Sequence, residues 1–212
     1  METLEQIKAR LQAAIPGAEL EVIPNSSAAN QPSLLVGHAH ARQVAAFLKD
    51  DPALQFDYAS NVTGVDWPDK VIQDKVRVKR VYKGQEIEVD EVVERVQPGY
   101  LEAVYHLYSM ALRHGPVILR MRTQNRTDQT HLPSLTPVYR GAEFQEREVY
   151  DLYGIIFDEH PDLRRLLMWE GFKDFPMRKD YQEPDDYEYE PTPHGAVLTK
   201  AGVHYPTEAA HG

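Results

Sequence analysis

The sequence contains no cysteine. This absence excludes disulfides and thiolate nucleophiles, and it removes the usual ligands of an iron–sulfur cluster. The sequence also lacks a glycine-rich phosphate loop and a Gly-x-Ser-x-Gly string. It therefore offers no recognisable nucleotide cradle and no serine-hydrolase nucleophile, and any redox group is expected on another chain.

Basic residues are scarce relative to acids. The 212 residues include 23 lysines and arginines against 33 aspartates and glutamates, a formal net charge of −10. A nucleic-acid binder needs a basic stripe that displaces counterions, and adhesion to an anionic lipid surface needs basic clusters. The balance argues against both classes of partner.

Long apolar runs are missing as well. The longest are a handful of residues, far below the roughly 20 that span a bilayer. Glu2 and Glu5 stand where a secretory signal would carry bases. With 42% hydrophobic residues the chain can still bury a core. We therefore expect a soluble, cytoplasmic chain with one domain of ordinary size plus extensions.

Hydrophobic periodicity predicts the first domain, residues 1–125. Helices are expected over 2–14, with Leu4, Ile7 and Leu11 on one face, and over 40–49. Strands are expected at 20–23, 34–36, 56–65, 101–110 and 117–123. This order predicts an α+β fold: a mainly antiparallel sheet with two N-terminal helices on one face, then a short helical region and a long extended C-terminal segment.

Residues 69–99 differ in composition from their surroundings. Valines and isoleucines alternate roughly with charged residues around 83–85 (KGQ). A solvated hairpin inserted between core strands would give this pattern. A flexible charged linker would give it too, and both interpretations stay open here.

Residues 126–181 form a second predicted region. A helix is expected over 139–152, with Ala142, Val149 and Tyr153 as its apolar stripe and Gly154 ending it. Its other side is expected to be a salt-bridged surface, with Glu143 paired to Arg147 and Arg147 paired to Asp151. Glu146 borders the apolar stripe and is the acid expected to be partly buried. A short second helix is predicted over 160–167, with His160 at its start and Pro161 in its first turn.

Residues 182–212 form an acidic, proline-rich tail that is expected to gain order only against a partner. Its tyrosines are interpreted as anchors in a protein groove, because the neighbouring acids would repel nucleic-acid phosphates. The tyrosines of the tail are Tyr187, Tyr189 and Tyr205, and Tyr181 just before it is interpreted in the same way.

Residues 146–167 (EREVYDLYGIIFDEHPDLRRLL) and 175–181 (FPMRKDY) closely resemble the signature blocks of the respiratory complex I 30-kDa subunit family, the C subunit of bacterial NADH–quinone oxidoreductase. Residues 105–109 (YHLYS) and 133–136 (PSLT) also sit where the family has similar strings. The chain departs from the family at Phe175, usually histidine, and at Phe144, usually tryptophan. A long ordered string is far more specific than a short motif.

The resemblance implies a non-catalytic peripheral-arm subunit of a proton-translocating NADH–quinone oxidoreductase. Its C-terminal segment would dock on the 49-kDa-type (D) subunit, near the iron–sulfur-bearing B and I subunits, and scaffold quinone reduction. NADH, FMN, iron–sulfur clusters and quinone would bind to partner subunits, with no cofactor in this chain. The complex would hold it at the cytoplasmic face of the inner membrane. The alternative is the equivalent subunit of a membrane-bound hydrogenase or ferredoxin-dependent complex.

Catalysis by the chain itself is the competing class of function. Glu146 and Glu148 invite an acid/base interpretation, but residues two apart on a helix point about 200° apart and cannot flank one substrate. His38 and His40 lack further ligands at metal spacing. A stand-alone enzyme using Glu146 and His160 is kept as a third hypothesis.

Recognition of a partner is the remaining chemistry. Four bases cluster in this acidic chain: Arg164, Arg165, Arg178 and Lys179. Their guanidinium and ammonium groups could pair in trans with a neighbouring subunit, or in cis with Glu146, Glu148, Asp151 or Asp180. No catalytic, cofactor or metal residues are predicted. The predicted partner-interface residues are Glu146, Arg147, Glu148, Asp151, His160, Pro161, Arg164, Arg165, Arg178, Lys179 and Asp180.

Overall fold

The computed structural model describes residues 2–82, 85–169 and 171–182, with side chains outside the stretch 78–91. The predicted acidic tail lies outside the described residues except for Gln182.

Two helices lie in the first fifty residues, close to their predicted spans. Helix α1 (Leu4–Ala14) begins with a capping box between Thr3 and Gln6, and it buries Ile7 and Leu11. A 3-10 turn (His38–His40) leads into α2 (Ala41–Asp50), which buries Val44 and Leu48 among others. Apolar residues at three- and four-residue spacing explain both helices.

Five strands form the main sheet. Their bounds are β1 Leu20–Ile23, β2 Ser33–Val36, β3 Tyr58–Trp67, β6 Tyr100–Ser109 and β7 His114–Arg122. Their order across the sheet is β1-β2-β7-β6-β3, and every pairing is antiparallel except β2 with β7. The prediction of an α+β fold with a mainly antiparallel sheet is confirmed.

The two faces of the sheet differ. From β6 and β7, Ala103, Tyr105 and Leu119 point into the hydrophobic core. Val104 and Ile118 alternate with them, so they lie on the opposite face, outside that core. This second face is called the outer face below.

Residues 69–99 form a hairpin, which decides between the two interpretations left open. Strand β4 (Lys70–Tyr82) pairs with β5 (Gln85–Gln97), and the two form a separate two-stranded sheet. At its base Asp69 Oδ1 accepts the Gly99 N–H at 2.6 Å. Strand β3 precedes the insertion and β6 follows it, and the two strands pair directly with each other, with Trp67 opposite Tyr100.

The second region packs against this domain. Strand β8 (His131–Pro133) pairs in parallel with β9 (Ile156–Asp158). Between them a 3-10 turn (Arg140–Ala142) leads into helix α3 (Glu143–Tyr153), which ends as predicted at Gly154 with φ of 75°. The predicted helix over 160–167 is wrong, because these residues follow an irregular path.

Helix α3 lies against the last strand of the main sheet. Gln145 Oε1 accepts the backbone N–H of Val62 in β3 at 2.6 Å. The Tyr153 ring packs on Gly64, where an added Cβ would stand 2.4 Å from the ring. The helix therefore covers an edge strand that would otherwise offer unpaired N–H groups to other chains.

Candidate protein-docking site

Residues 159–182, named here the C-terminal strap, cross α3, and their described part has no regular secondary structure. Most of the predicted interface residues lie in this strap, and the rest lie on the helix beneath it. Irregular backbone remains ordered only where its polar groups find partners. Those partners decide what the site can do.

Asp151 of α3 is the first anchor of the strap. Its carboxylate is fully buried, and Oδ2 accepts the N–H groups of Leu166, Leu167 and Met168 at 3.0, 2.7 and 2.8 Å. Arg165 pairs with Oδ1 at 2.7 Å. Burial by itself would raise the pKa of Asp151, but these hydrogen bonds hold it below its ordinary value.

These bonds explain why the predicted second helix is absent. A helix over 160–167 would send N–H groups to carbonyls four residues earlier. Instead three consecutive N–H groups converge on one carboxylate. The local sequence favours a helix start, and a charged group 15 to 17 residues earlier overrides it.

Arg147 binds the backbone carbonyl groups of the same segment. Its side chain is 4% exposed, and its Nε and Nη2 donate to the carbonyls of Arg164 and Arg165 at 3.2 and 3.3 Å. Asp162 lies 3.7 Å from its Nη1. One helical turn therefore carries a cation for the strap's carbonyls and an anion for its N–H groups.

The prediction of an exposed, salt-bridged helix face is corrected by this arrangement. Arg147 and Asp151 are both buried, and they bond to the strap. Glu143 pairs with Arg140 at 3.4 Å. The i,i+4 spacing places these charges on one side of the helix but carries no sign of the segment that covers them.

Glu146 is completely buried rather than partly buried. It accepts hydrogen bonds from Ser134 Oγ at 2.6 Å, Leu135 N–H at 2.8 Å, Tyr105 Oη at 3.0 Å and Thr136 Oγ1 at 3.1 Å. Burial raises the pKa of Glu146, and these donors oppose the rise only in part. Burial, followed by the nearby Glu146, places the Tyr105 pKa well above its ordinary value.

The two catalytic hypotheses meet different geometries. Glu148 is exposed while Glu146 is buried, so the two carboxyls face different environments, as their spacing predicts. The His160 ring is brought near Glu146, with its Nε2 4.0 Å from Glu146 Oε2 and both side chains buried. That Nε2 lies closer to Glu143 O, at 3.0 Å, and the ring Nδ1 accepts the Asp162 N–H at 3.1 Å. With both ring nitrogens held by backbone groups, His160 pins the start of the strap and does not start a helix as predicted.

The far end of the strap is held by Asp66 and Arg126, which sequence reasoning missed. Arg126 Nε and Nη2 form a bidentate pair with Asp66 at 2.6 and 2.8 Å, and Nη2 also reaches Asp180 at 2.9 Å. Asp66 accepts the Lys179 N–H at 2.8 Å. No local motif marks these residues, because they come from a strand end and a loop far apart in sequence.

Arg178 closes the attachment. Its Nε donates to Tyr153 O at 2.7 Å and its Nη1 to Arg126 O at 2.9 Å, while its guanidinium lies 4.4 Å from the Phe175 ring centroid. Burial and then the neighbouring Arg126 lower the Arg178 pKa. Phe175 therefore acts as an aromatic face for this arginine.

The outward side of the strap is apolar at several positions. Leu167 is 58% exposed and Met177 53%. Large exposed apolar groups on a firmly anchored segment are typical of a protein-binding surface. The set, named here the strap surface, consists of Leu166, Leu167, Trp169 and Met177.

The predicted interface residues fall into two groups. Glu146, Arg147 and Asp151 lie beneath the strap, and His160, Arg165 and Arg178 are half-buried with partners in cis. Arg164 pairs in cis with Asp162, an acid outside the predicted set. The exposed remainder is Glu148, Pro161, Arg164, Lys179 and Asp180. Their assignment to a partner interface stays a prediction.

The part of the chain that the structure describes offers neither a metal-ligand cluster nor a membrane helix. Among these residues, no group of three or more histidine, aspartate or glutamate side chains is arranged to hold a metal. His38 Nε2 lies 2.6 Å from the Arg122 carbonyl oxygen. In the same part of the chain, no helix combines the length and apolarity needed to cross a bilayer.

Comparison with known proteins places this site in a family context. Residues 34–187 match the family model described as respiratory-chain NADH dehydrogenase, 30 Kd subunit. The C subunit of NADH-quinone oxidoreductase from Xanthobacter autotrophicus is 36% identical over 85% of this chain and 70% of its own length. The second C subunit of the same enzyme type from Rhizobium meliloti is 39% identical over 64% of this chain and 57% of its own length. The chain thus spans little more than half the length of the second relative.

One solved structure shares the fold. It belongs to the membrane-bound sulfane sulfur reductase, described as an archaeal respiratory membrane complex. The TM-score is 0.54 at 20% sequence identity, over 98% of this chain and 94% of that chain. At this identity the likeness concerns the fold alone.

Proposed function

This chain belongs to the 30-kDa subunit family of the respiratory-chain NADH dehydrogenases, and from that premise we propose that it is a non-catalytic scaffolding subunit of a proton-translocating NADH–quinone oxidoreductase. In this proposal it docks on the 49-kDa-type (D) subunit of the quinone-reducing module, beside the B and I subunits. Its attachment to the cytoplasmic face of the inner membrane runs through the complex.

One observation carries the docking proposal. The strap surface exposes Leu167 and Met177 on a backbone that Asp151, Arg147 and Asp66 hold in place. A surface fixed before binding loses less conformational entropy when a partner covers it. The family match also covers the whole strap, up to residue 187.

The chemistry of the chain supports a role without catalysis. It has no cysteine to bind an iron–sulfur cluster, and its most unusual acid, Glu146, is buried among four donors. In the proposal NADH, FMN, iron–sulfur clusters and quinone all bind to partner subunits. This chain holds the quinone-reducing subunits in position.

A second candidate is the equivalent subunit of a membrane-bound hydrogenase or a ferredoxin-dependent complex. The shared fold with the sulfane sulfur reductase does not separate the two candidates, since both predict the same fold. The higher identity to the NADH-quinone oxidoreductase relatives favours the first candidate. Identifying the chains that co-purify with the tagged protein decides between them.

The docking proposal is tested by placing charges on the strap surface. Leu167→Asp combined with Met177→Asp introduces two carboxylates at exposed positions, so the fold is expected to keep its stability within about 0.5 kcal/mol per site. We expect the fraction of the chain that co-migrates with the large redox complex on native gels of membranes to fall several-fold.

Met110→Asp combined with Leu112→Asp is the matched control, because Met110 and Leu112 are 64% and 44% exposed beyond the end of β6, away from the strap. It should leave co-migration unchanged. Normal incorporation of the double variant, or an equal loss in the control, would contradict docking through the strap surface.

A further inference from the structure

The outer face of the main sheet carries a charged and aromatic cluster at one end. Glu102 is fully buried there and accepts hydrogen bonds from Trp67 Nε1 at 2.8 Å, Arg120 Nη1 at 3.2 Å and Arg122 Nη2 at 2.9 Å. Tyr100 lies beneath the Arg122 guanidinium, 4.1 Å from its ring centroid. These five residues are named here the arginine face.

The arginine face is positive in a strongly acidic chain. Two guanidinium groups share the single carboxylate of Glu102, and their side chains are still 24% and 36% exposed for Arg120 and Arg122. The Arg120 Nε is buried and has no acceptor in the described structure. The exposed parts of both guanidinium groups can pair with further carboxylates, so this face fits a ligand that brings them.

The strap ends beside this face. Lys179 donates its N–H to Asp66, and its Nζ lies 5.5 Å above the Trp67 ring. The Trp67 ring is 6.2 Å from that of Tyr100, on which Arg122 lies. The last described residue, Gln182, follows three positions after Lys179.

The next eight residues of the sequence have the complementary charge. Residues 183–190 (EPDDYEYE) contain five acids and no base. Fully extended, eight residues span roughly 26 Å, which exceeds the path from Lys179 across Trp67 and Tyr100 to Arg122. Glu19 and Glu21 line the groove on the side of Arg122 away from Trp67, where they would repel other carboxylates. An acidic segment is therefore attracted most strongly on the Trp67 side of Arg122.

We infer that residues 183–190 dock in cis on the arginine face, with their carboxylates facing Arg120 and Arg122. The outer face of the sheet is then a binding surface for the chain's own acidic segment, in contrast to the expectation that the tail gains order only against a partner. This docking is independent of the strap surface and of the proposed function. Its attraction is between charges near the protein surface, so salt weakens it.

The test uses the full chain, whose lack of cysteine allows clean labelling. Thr63, which is opposite Val104 on the outer face, and Thr192 are replaced by cysteine and carry spin labels. Pulsed electron paramagnetic resonance at low ionic strength should show a narrow population of short distances. That population should be lost at about 1 M salt, where screening acts within roughly 3 Å. It should also be lost when the five acids of 183–190 become their amides.

A matched control neutralises five acids elsewhere: Glu5, Asp50, Glu94, Glu148 and Glu208 are replaced by their amides, and the short distances should persist. Broad distances in the parent at low salt would overturn the inference. Short distances that survive neutralisation of 183–190 would overturn it too. If mixing with unlabelled chain abolishes them, the segment docks on a second copy and docking in cis is wrong.

Discussion

The strap and the β4–β5 hairpin are both additions to the main sheet, and they are built in opposite ways. The hairpin has full ladders of backbone hydrogen bonds, yet Val71, Val92 and Val96 on it are about half exposed. The described strap has no regular structure, yet its backbone is tied to buried Asp151 and Arg147. Regular pairing and a firm connection to the core are thus separate properties in this molecule.

The difference shows what orders a segment. A two-stranded ribbon pairs the N–H and C=O groups between its strands, and those on its two open edges can bond to water. An irregular segment must find partners elsewhere, and buried charges are strong partners because few waters compete with them. We therefore expect mutations under the strap to be far more damaging than changes in the hairpin.

The largest effect is expected for Asp151→Ala. The change leaves three backbone N–H groups without their acceptor. It also removes the carboxylate partner of Arg165, which keeps its hydrogen bond to the backbone carbonyl of residue 151. Breaking a buried charged pair costs about 3–5 kcal/mol, which urea denaturation measures directly. Asp162→Asn is the control, since Asp162 is half exposed and pairs with Arg164 near solvent, and its effect should be small. Equal losses of stability in the two variants would contradict the assignment of Asp151 as the main anchor of the strap.

A medium effect is expected from Glu146→Gln, with a distinct pH dependence. The pKa of Glu146 is raised above its ordinary 4.5 by burial, so the folded chain keeps this proton to higher pH than the unfolded chain. Stability from this group therefore falls as pH rises above about 4.5. The lowered pKa of Asp151 acts in the opposite sense, adding stability as pH rises towards its ordinary 3.8.

Glu146→Gln should abolish the fall and keep the rise, because the amide does not titrate and the neighbouring hydroxyls of Ser134 and Thr136 can accept as well as donate. Free energies of unfolding across this pH range measure both slopes. A fall of the same size in Glu146→Gln would show that another group causes it.

The smallest effect is expected for removal of the hairpin. Replacing residues 70–97 by Asn-Gly joins β3 to β6, which already pair from Trp67 opposite Tyr100. The hairpin contributes no residue of the core cluster among its described side chains, so stability should change by less than about 1 kcal/mol. Thermal unfolding of the shortened chain checks this, and a loss comparable to that of Asp151→Ala would contradict the comparison.

The sequence is sufficient for the elements whose signal is local. Leu4, Ile7 and Leu11 repeat at helical spacing, and Gly154 marks a helix end. Alternation in β6 separates Tyr105 in the core from Val104 on the outer face. These features follow from residues within a few positions of one another.

The site could not be predicted in the same way, because its partners are distant in sequence. Asp151 bonds residues 14 to 17 positions later, and Asp66 meets Arg126 and Lys179 from three separate segments. The same reasoning explains the false helix over 160–167, whose local signals were genuine. The family resemblance located the region, but its contacts required the fold.

The most direct measurement of this account is hydrogen exchange at three backbone amides, those of Leu166, Leu167 and Met168, in the isolated full chain. These residues lie in an irregular segment, with the side chains of Leu166 and Leu167 exposed and that of Met168 partly buried, yet their N–H groups all donate to buried Asp151. We predict slow exchange for all three in the parent and a large acceleration in Asp151→Asn, with no change in Asp162→Asn. Fast exchange in the parent would mean that the strap is not held in place before a partner binds, and the account would fail.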